Sequence, residues 1–345
     1  MSRIAIFPFS IGIEKRIEVM DIPKNVKITK FIAIKGTVGG LQEIYIHEQS
    51  IPIEYDFEKA LENIDEVWIV DDFFNVDIKK NILNGVKKLI ENQNKFCWYR
   101  EEKIPNKFSK YNEAIDNTEI AFKRRENKIF NINTPIIYVI PFIEKIDVIN
   151  IQSSLYKSFN KVCDVINILP CLYGKLYGSE SQPIFMYDKS LSGTDKILTL
   201  NNYIKEIEQE RKPDLFIIGI PGSIGKYTNN IPGDFGTMLY YYSQALQPDC
   251  TILALPYADY GKPDIDNIYK LVNDRFGISV DYFIINDIAI ELNLSEMDHR
   301  FYFLHLDNRI VSEKKKELHR ENIFGNNEVK ELFSKVFNQL INYKV

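Results

Sequence analysis

The sequence predicts an α/β protein with two doubly wound, mainly parallel domains of the Rossmann-like or flavodoxin-like kind. Apolar, strand-like runs alternate with helical segments along most of the chain, which is typical of parallel sheets covered on both faces. The chain has 345 residues, 45% of them hydrophobic, which is enough for two cores. A charged, Asn-rich stretch interrupts the alternation. We therefore expect an N-terminal domain at 1–105, a linker with a helix at 106–134 and a C-terminal domain at 135–345.

The first domain is predicted from short runs of branched and aromatic residues separated by helical spacing. Its clearest helix places Ile78, Ile82, Val86 and Leu89 on one face. In chain order, the predicted elements are a strand within 3–10, a helix at 14–20, a strand through 31–34, a helix at 57–63, a strand at 67–70, a helix at 77–92 and a strand at 95–99.

The second domain repeats the pattern and ends in an amphipathic helix. A run at 300–307 alternates in hydrophobicity and is predicted as an edge strand. Strands are predicted at 134–142, 164–170, 214–221, 250–257 and 280–287. Helices are predicted at 148–159, 194–211, 236–246, 265–276 and 326–345.

Composition narrows the function classes. The net charge of -5 argues against a broad nucleic-acid surface. The four cysteines are scattered without a CxxC or Cys/His cluster, so no metal site is expected. Apolar stretches are too short for a membrane span and the start lacks signal-peptide features, which predicts a cytoplasmic protein.

Ligands of open parallel sheets bind beyond the carboxyl ends of the strands, so candidate residues are sought in the loops there. The KGTVGG stretch could cradle an anion with its backbone N–H groups or simply form a turn. The carboxylates of VDD suit a metal-bound water or a ribose hydroxyl, and they equally suit a cap on the next helix or a position facing water. The first-domain candidates are Ser10, Gly36, Gly39, Gly40, Asp71 and Asp72.

In the second domain, the segment IGIPGSIGKYTNN at 218–230 comes close to the sequence motif of a phosphate-binding loop, but it lacks the Walker spacing. The strand that ends near residue 141 is followed by PFIEK, which contains no glycine. A normal Walker-type ATP or GTP site is therefore not expected. The domain is predicted as a degenerate P-loop-type fold. Cofactors stay unassigned. The candidates here are Gly222, Ser223, Gly225, Lys226, Tyr227, Asn229, Tyr257 and Asp259, which could face the first-domain set across an interdomain cleft.

Four segments together carry a family resemblance: RIAIFPFS, VWIVDD, KPDLFIIGIPGSIGKYTNNIPGDFGTMLYYYSQALQPD and LPYADY. They resemble a clostridial family of accessory proteins found with radical SAM enzymes and Cys-rich, bacteriocin-like precursor peptides. The PFIEKI stretch departs from the more glycine-rich loop of that family. The resemblance implies a part in maturing a ribosomal peptide natural product, by binding the precursor peptide or the radical SAM enzyme, and it assigns no catalytic residue.

Two other functions stay open on the residues alone. The chain could be an enzyme that uses a nucleotide or another phosphorylated ligand in peptide modification. It could instead be a degenerate NTPase-like scaffold for docking or dimerisation, in which case a homodimer is expected.

Overall fold

The protein is described by a computed structural model, which covers residues 1–46, 48–71, 78–102, 104–112, 126–143, 146, 148–225, 228, 230–231, 233–299 and 301–342. The chain divides into two compact units. The first unit comprises Met1–Glu119 and Cys171–Ser181, and the second comprises Ile120–Pro170 and Gln182–Val345. The sequence prediction assigned 135–345 to one domain, whereas Cys171–Ser181 groups with the first unit.

The strands of the first unit are β1 (Ser2–Phe7), β2 (Val26–Ile32), β3 (Glu43–Ile46), β4 (Gln49–Glu54), β5 (Glu66–Val70) and β6 (Lys95–Tyr99). They form a six-stranded sheet in the order β3-β4-β2-β1-β5-β6. The described strand pairs are parallel except β3–β4, which is antiparallel. The helices are α1 (Ile13–Val19), α2 (Phe57–Ala60), α3 (Lys79–Glu91) and α4 (Asn106–Ser109).

The central strand β1 explains why this sheet is covered on both faces. Side chains alternate between the faces of a strand, yet Ile4, Ala5, Ile6 and Phe7 are all buried. One face, with Phe7, packs against the apolar stripe of α3. The near-continuous apolar run of β1 is therefore what a parallel strand between two helical layers requires.

The strands of the second unit are β7 (Ile136–Pro141), β8 (Val165–Ile168), β9 (Leu215–Gly219), β10 (Cys250–Tyr257), β11 (Tyr282–Ile290), β12 (Phe303–His305) and β13 (Ile323–Gly325). They form a seven-stranded sheet in the order β12-β11-β10-β7-β9-β8, with β13 paired to β11. Among the described strand pairs, only β11–β12 is antiparallel. The helices are α5 (Val148–Phe159), α6 (Gly193–Arg211), α7 (Thr237–Ala245), α8 (Lys262–Phe276), α9 (Leu292–Asp298), α10 (Asn308–Leu318) and α11 (Val329–Asn342).

The first strand of this unit, β7, lies inside the sheet between β9 and β10. Ile136, Tyr138 and Ile140 belong to the core under α6, α7 and α8. Ile137 and Val139 belong to the opposite core, under α5 and α11. The predicted fold class is thus confirmed: two mainly parallel α/β sheets, each in its own unit.

A half-buried carboxylate fixes the chain just before β7. The backbone N–H groups of Asn133 and Thr134 donate to Glu208 Oε1 at 2.6 and 2.8 Å, and Lys205 forms an ion pair with the same side chain. Burial raises the pKa of the Glu208 carboxyl, but these hydrogen bonds outweigh it and hold the pKa below its usual value. Glu208 therefore stays ionised and holds the entry to β7 on α6.

Candidate functional site

In the first unit, polar residues meet at the carboxyl ends of β5 and β6. Asp71 follows β5, and Arg100 and Glu101 follow the neighbouring parallel strand β6. The Glu101 N–H donates to Asp71 Oδ2 at 3.1 Å, and Arg100 Nε lies 3.9 Å from Asp71 Oδ1. The Arg100 side chain is only 8% exposed, so this ion pair is largely shielded from water.

The segment Cys171–Ser181 covers this edge of the first sheet. The Tyr173 hydroxyl donates to Asp71 Oδ2 at 2.6 Å, and the Leu172 N–H donates to Glu101 Oε1 at 3.3 Å. Further along the segment, the Leu176 carbonyl accepts from the Asp21 N–H at 2.9 Å. Polar groups that could have met a ligand are therefore bonded to the chain itself. We call this arrangement the Asp71–Tyr173 anchor.

The electrostatics of the anchor suit a structural donor. Burial, reinforced by the Asp71 charge, raises the pKa of the Tyr173 hydroxyl well above its usual value. Burial likewise raises the pKa of the Cys171 thiol. Since the thiolate is the reactive form of cysteine, Cys171 is not set up as a nucleophile at neutral pH.

The other first-unit candidates have separate surroundings. Ser10 is 1% exposed, and its hydroxyl has no hydrogen-bond partner among the described residues. Gly36, Gly39 and Gly40 have φ of +84°, +60° and +78°, and a Cβ at each would meet nothing within 4 Å. Their backbone angles, rather than crowding by a neighbour, therefore explain the glycines. Asp72 lies outside the described residues.

In the second unit, the loop after β9 is tied to the end of β7. The N–H groups of Ile224 and Gly225 both donate to the Phe142 carbonyl, at 3.1 and 3.0 Å. A Cβ at Gly225 would lie 2.5 Å from the Phe142 ring, which explains the glycine there. Phe142 is half-buried, and Ile143 and Ile146 are buried. Apolar side chains thus line the described part of the β7–α5 connection, where a P-loop would carry glycines.

The rest of this loop closes against the start of α7. Gly222 has φ +89°, and a Cβ there would lie 2.6 Å from Asp234 Oδ2. Asp234 Oδ2 accepts from the Met238 N–H at 3.2 Å, so a carboxylate already occupies the positive end of this helix. The Ser223 hydroxyl is buried without a hydrogen-bond partner in the described part of the chain. Lys226, Tyr227 and Asn229 fall outside the described residues.

The last two candidates follow β10. Tyr257 is half-buried and packs against the core beneath α6, α7 and α8. Asp259 is exposed and forms an ion pair with Lys314 of α10, whose side chain is 7% exposed. The hydrogen bond to Lys314 lowers the pKa of Asp259, and the same bond raises the pKa of Lys314. Asp259 therefore compensates a buried cation of its own chain.

The residues that bond to the candidates Asp71 and Asp259 were not predicted from the sequence. Arg100 and Glu101 follow a strand that was predicted at 95–99, so the rule that selected Asp71 could have selected them too. No local signal points to Tyr173, which lies 102 positions from Asp71 along the chain. Lys314 likewise comes from a helix that the sequence analysis did not predict.

Two features are absent from the described residues. They contain no group of three or more His, Cys, Asp or Glu side chains placed to hold a metal ion. No helix within the described ranges is both long enough and apolar enough to cross a bilayer.

Fold and candidate sites together define a two-unit, mainly parallel α/β protein. A solved structure of a DUF1611 family protein from Anabaena variabilis is similar to it, with a TM-score of 0.60 and 11% identity over 99% of this chain and 100% of that chain. At that identity the likeness shows the fold alone. A GTPase from Pyrococcus abyssi in its apo form matches 60% of this chain and 97% of that one at 11% identity, but its TM-score of 0.30 is too low to support any inference. No family model matches the sequence, and no curated protein does.

Proposed function

We propose that this protein is an accessory component of a ribosomal peptide maturation system, which binds the precursor peptide or a modifying enzyme of the radical SAM class. The setting rests on the resemblance of four sequence segments to the clostridial accessory family. The contacts described above argue against a nucleotide at these positions, because they fill ligand positions with the protein's own chain, and this favours a binding role over nucleotide chemistry.

The single observation that carries the proposal is the apolar side chains of Phe142, Ile143 and Ile146 in the described part of the β7–α5 connection. A nucleoside triphosphate needs backbone amides and a cation around its phosphates. Here the N–H groups of Ile224 and Gly225 are already bonded to the Phe142 carbonyl, and the Phe142 ring packs against Gly225. A phosphate in this position would have to displace an apolar side chain and break two hydrogen bonds.

The Asp71–Tyr173 anchor supports the same conclusion for the first unit. Nucleotides of doubly wound proteins bind beyond the carboxyl ends of the strands. In this chain Tyr173 and Leu172 donate to the acidic side chains that follow β5 and β6. We therefore favour binding of a macromolecular partner over cleft chemistry on a nucleotide, with an NTPase-like docking or dimerisation scaffold as the second candidate.

Co-purification tests the proposal. The genes beside its own are first searched for a precursor peptide and a radical SAM enzyme, and their absence would already count against the proposal. The tagged chain is then co-expressed with the candidates found, and an unrelated precursor serves as the control. We expect at least one of the two cognate partners to be retained at a defined stoichiometry. Retention of neither would contradict the proposal, and light scattering on the chain alone would then test the scaffold alternative.

A further inference from the structure

The outer strand of the first sheet, β3, has an open edge. It is the terminal strand in the sheet order, and among the described strands it is hydrogen-bonded to β4 alone. The Ile53 N–H donates to the Gln42 carbonyl at 2.8 Å, which makes Gln42 and Ile53 a hydrogen-bonded antiparallel pair. Such pairs alternate along the ladder, so Ile44 and Ile46 also bond inward.

The residues between them must then direct their backbone groups outward. Glu43 lies opposite Pro52 in the register, and proline has no N–H to offer to the ladder. Tyr45, opposite Ser50, occupies the next non-hydrogen-bonded position. The backbone N–H and C=O groups of Glu43 and Tyr45 therefore point away from β4, toward the open edge of the sheet.

The hairpin formed by β3 and β4 packs against the rest of the protein with one face, and this leaves the outer edge of β3 accessible. Ile46, Ile51 and Ile53 are buried, whereas Tyr45 is 66% exposed. Glu43 is exposed as well, and its carboxylate accepts hydrogen bonds from the hydroxyls of Tyr45 and Ser50. These bonds lower the pKa of Glu43, so the carboxylate is charged at neutral pH.

The charge of the hairpin indicates what would pair with it. Residues 42–56 contain Glu43, Glu48, Glu54 and Asp56 and no Lys or Arg. Glu54 forms an ion pair with Lys59 and Asp56 caps α2, so the acidic side chain on β3 itself is Glu43. Natural edge strands are commonly blocked by lysine, proline or a bulge, and a strand with a free edge accepts an extended peptide. Here the residues with outward backbone groups are a glutamate and a tyrosine, so the edge is acidic.

We infer that β3 is a docking strand to which an extended, Lys- or Arg-bearing peptide segment adds as a further strand of the first sheet. This inference rests on the proposed function, since it assigns the peptide partner a binding surface. Main-chain hydrogen bonds to Glu43 and Tyr45 hold the segment, and the acidic side chains of the hairpin select its basic residues.

The test uses a short synthetic peptide of alternating lysine and valine with a fluorescent label. Its controls are the same peptide with N-methylated backbone amides and an alternating glutamate and valine peptide. Tyr45→Pro removes the outward N–H, while Tyr45→Ala is the matched variant that keeps it. Circular dichroism verifies that both variants are folded, and NMR hydrogen exchange follows the individual amides of β3.

We expect the lysine–valine peptide to bind and to slow exchange at the Glu43 and Tyr45 amides. N-methylation of the peptide, or Tyr45→Pro relative to Tyr45→Ala, should weaken binding about tenfold, which corresponds to about 1.4 kcal/mol. Equal binding of the N-methylated peptide, or no binding at all, would overturn the inference. Protection of both amides without peptide, rising with protein concentration, would assign the edge to a second copy of this chain and overturn it as well.

Failure of this test leaves the proposed function separately testable. The co-purification experiment uses the cognate precursor and enzyme and does not depend on where they bind. Retention of a cognate partner that Tyr45→Pro leaves unchanged would uphold the proposed function and refute the docking strand.

Discussion

Removal of the Tyr173 hydroxyl should loosen the segment Cys171–Ser181 from the first sheet. The hydroxyl donates to Asp71 at 2.6 Å, and the Asp71 side chain is 19% exposed. A hydrogen bond to a charged group contributes about 1.5–3 kcal/mol, so Tyr173→Phe should lower the free energy of unfolding by about 2 kcal/mol. Asp71→Ala removes the acceptor of both the Tyr173 hydroxyl and the Glu101 N–H, so it should cost more than Tyr173→Phe.

The two tryptophans make this prediction measurable in the first unit alone. Trp68 lies in β5 and Trp98 in β6, so tryptophan fluorescence during urea unfolding reports on this sheet. The double variant separates the Tyr173–Asp71 interaction from the other effects of each substitution. Changes below about 0.5 kcal/mol for both single variants, the usual range of surface substitutions, would refute the anchor as a stabilising contact.

Three further predictions concern the second unit. Gly225→Ala places a Cβ 2.5 Å from the Phe142 ring and should lower the free energy of unfolding of this unit by about 1–3 kcal/mol, measured by circular dichroism melts. The control is Gly261→Ala, whose Cβ would meet its nearest neighbour at 3.4 Å. The folded-state pKa of Glu208 lies below its usual value of 4.5, so the ionised carboxylate stabilises the fold above that pH, and this stabilisation is lost as the pH falls through the folded pKa. Glu208→Gln should therefore make the free energy of unfolding depend less on pH in the acid range. An unchanged pH dependence would contradict this. Ser223→Ala removes a buried hydroxyl that has no partner among the described residues and should leave the melting temperature unchanged or raise it, whereas a fall would show that the hydroxyl contributes a stabilising contact.

The sequence predicted the regular elements best where a long apolar run or a clear helical period set them. The strands at 95–99 and 250–257 and the helix at 148–159 have the predicted bounds. The β3–β4 hairpin was not predicted, because its two short strands are half exposed and lack a continuous apolar run. The helix α10 was missed for a similar reason: two of its inward positions are Lys314 and Lys315, which weaken the apolar stripe.

The candidate sites were predicted only in part. The carboxyl-end rule located Asp71, Ser223 and Asp259, because strand ends can be read from local pattern. It could not show that these groups have partners within the chain, since Tyr173 and Lys314 come from distant segments that fold back onto the strand ends. Pairing across long sequence separations depends on tertiary packing, which no local pattern records. The predicted interdomain cleft stays a prediction.

The central claim, that this chain binds a peptide or a partner protein rather than a nucleotide, is tested most directly by thermal unfolding with each class of ligand. A ligand at 100 times its Kd stabilises the folded state by about 2.7 kcal/mol, which such an experiment readily detects. We expect the cognate precursor peptide or radical SAM enzyme to raise the unfolding temperature, and ATP and GTP with magnesium to leave it unchanged. Stabilisation by a nucleotide, with none from either cognate partner, would contradict the claim.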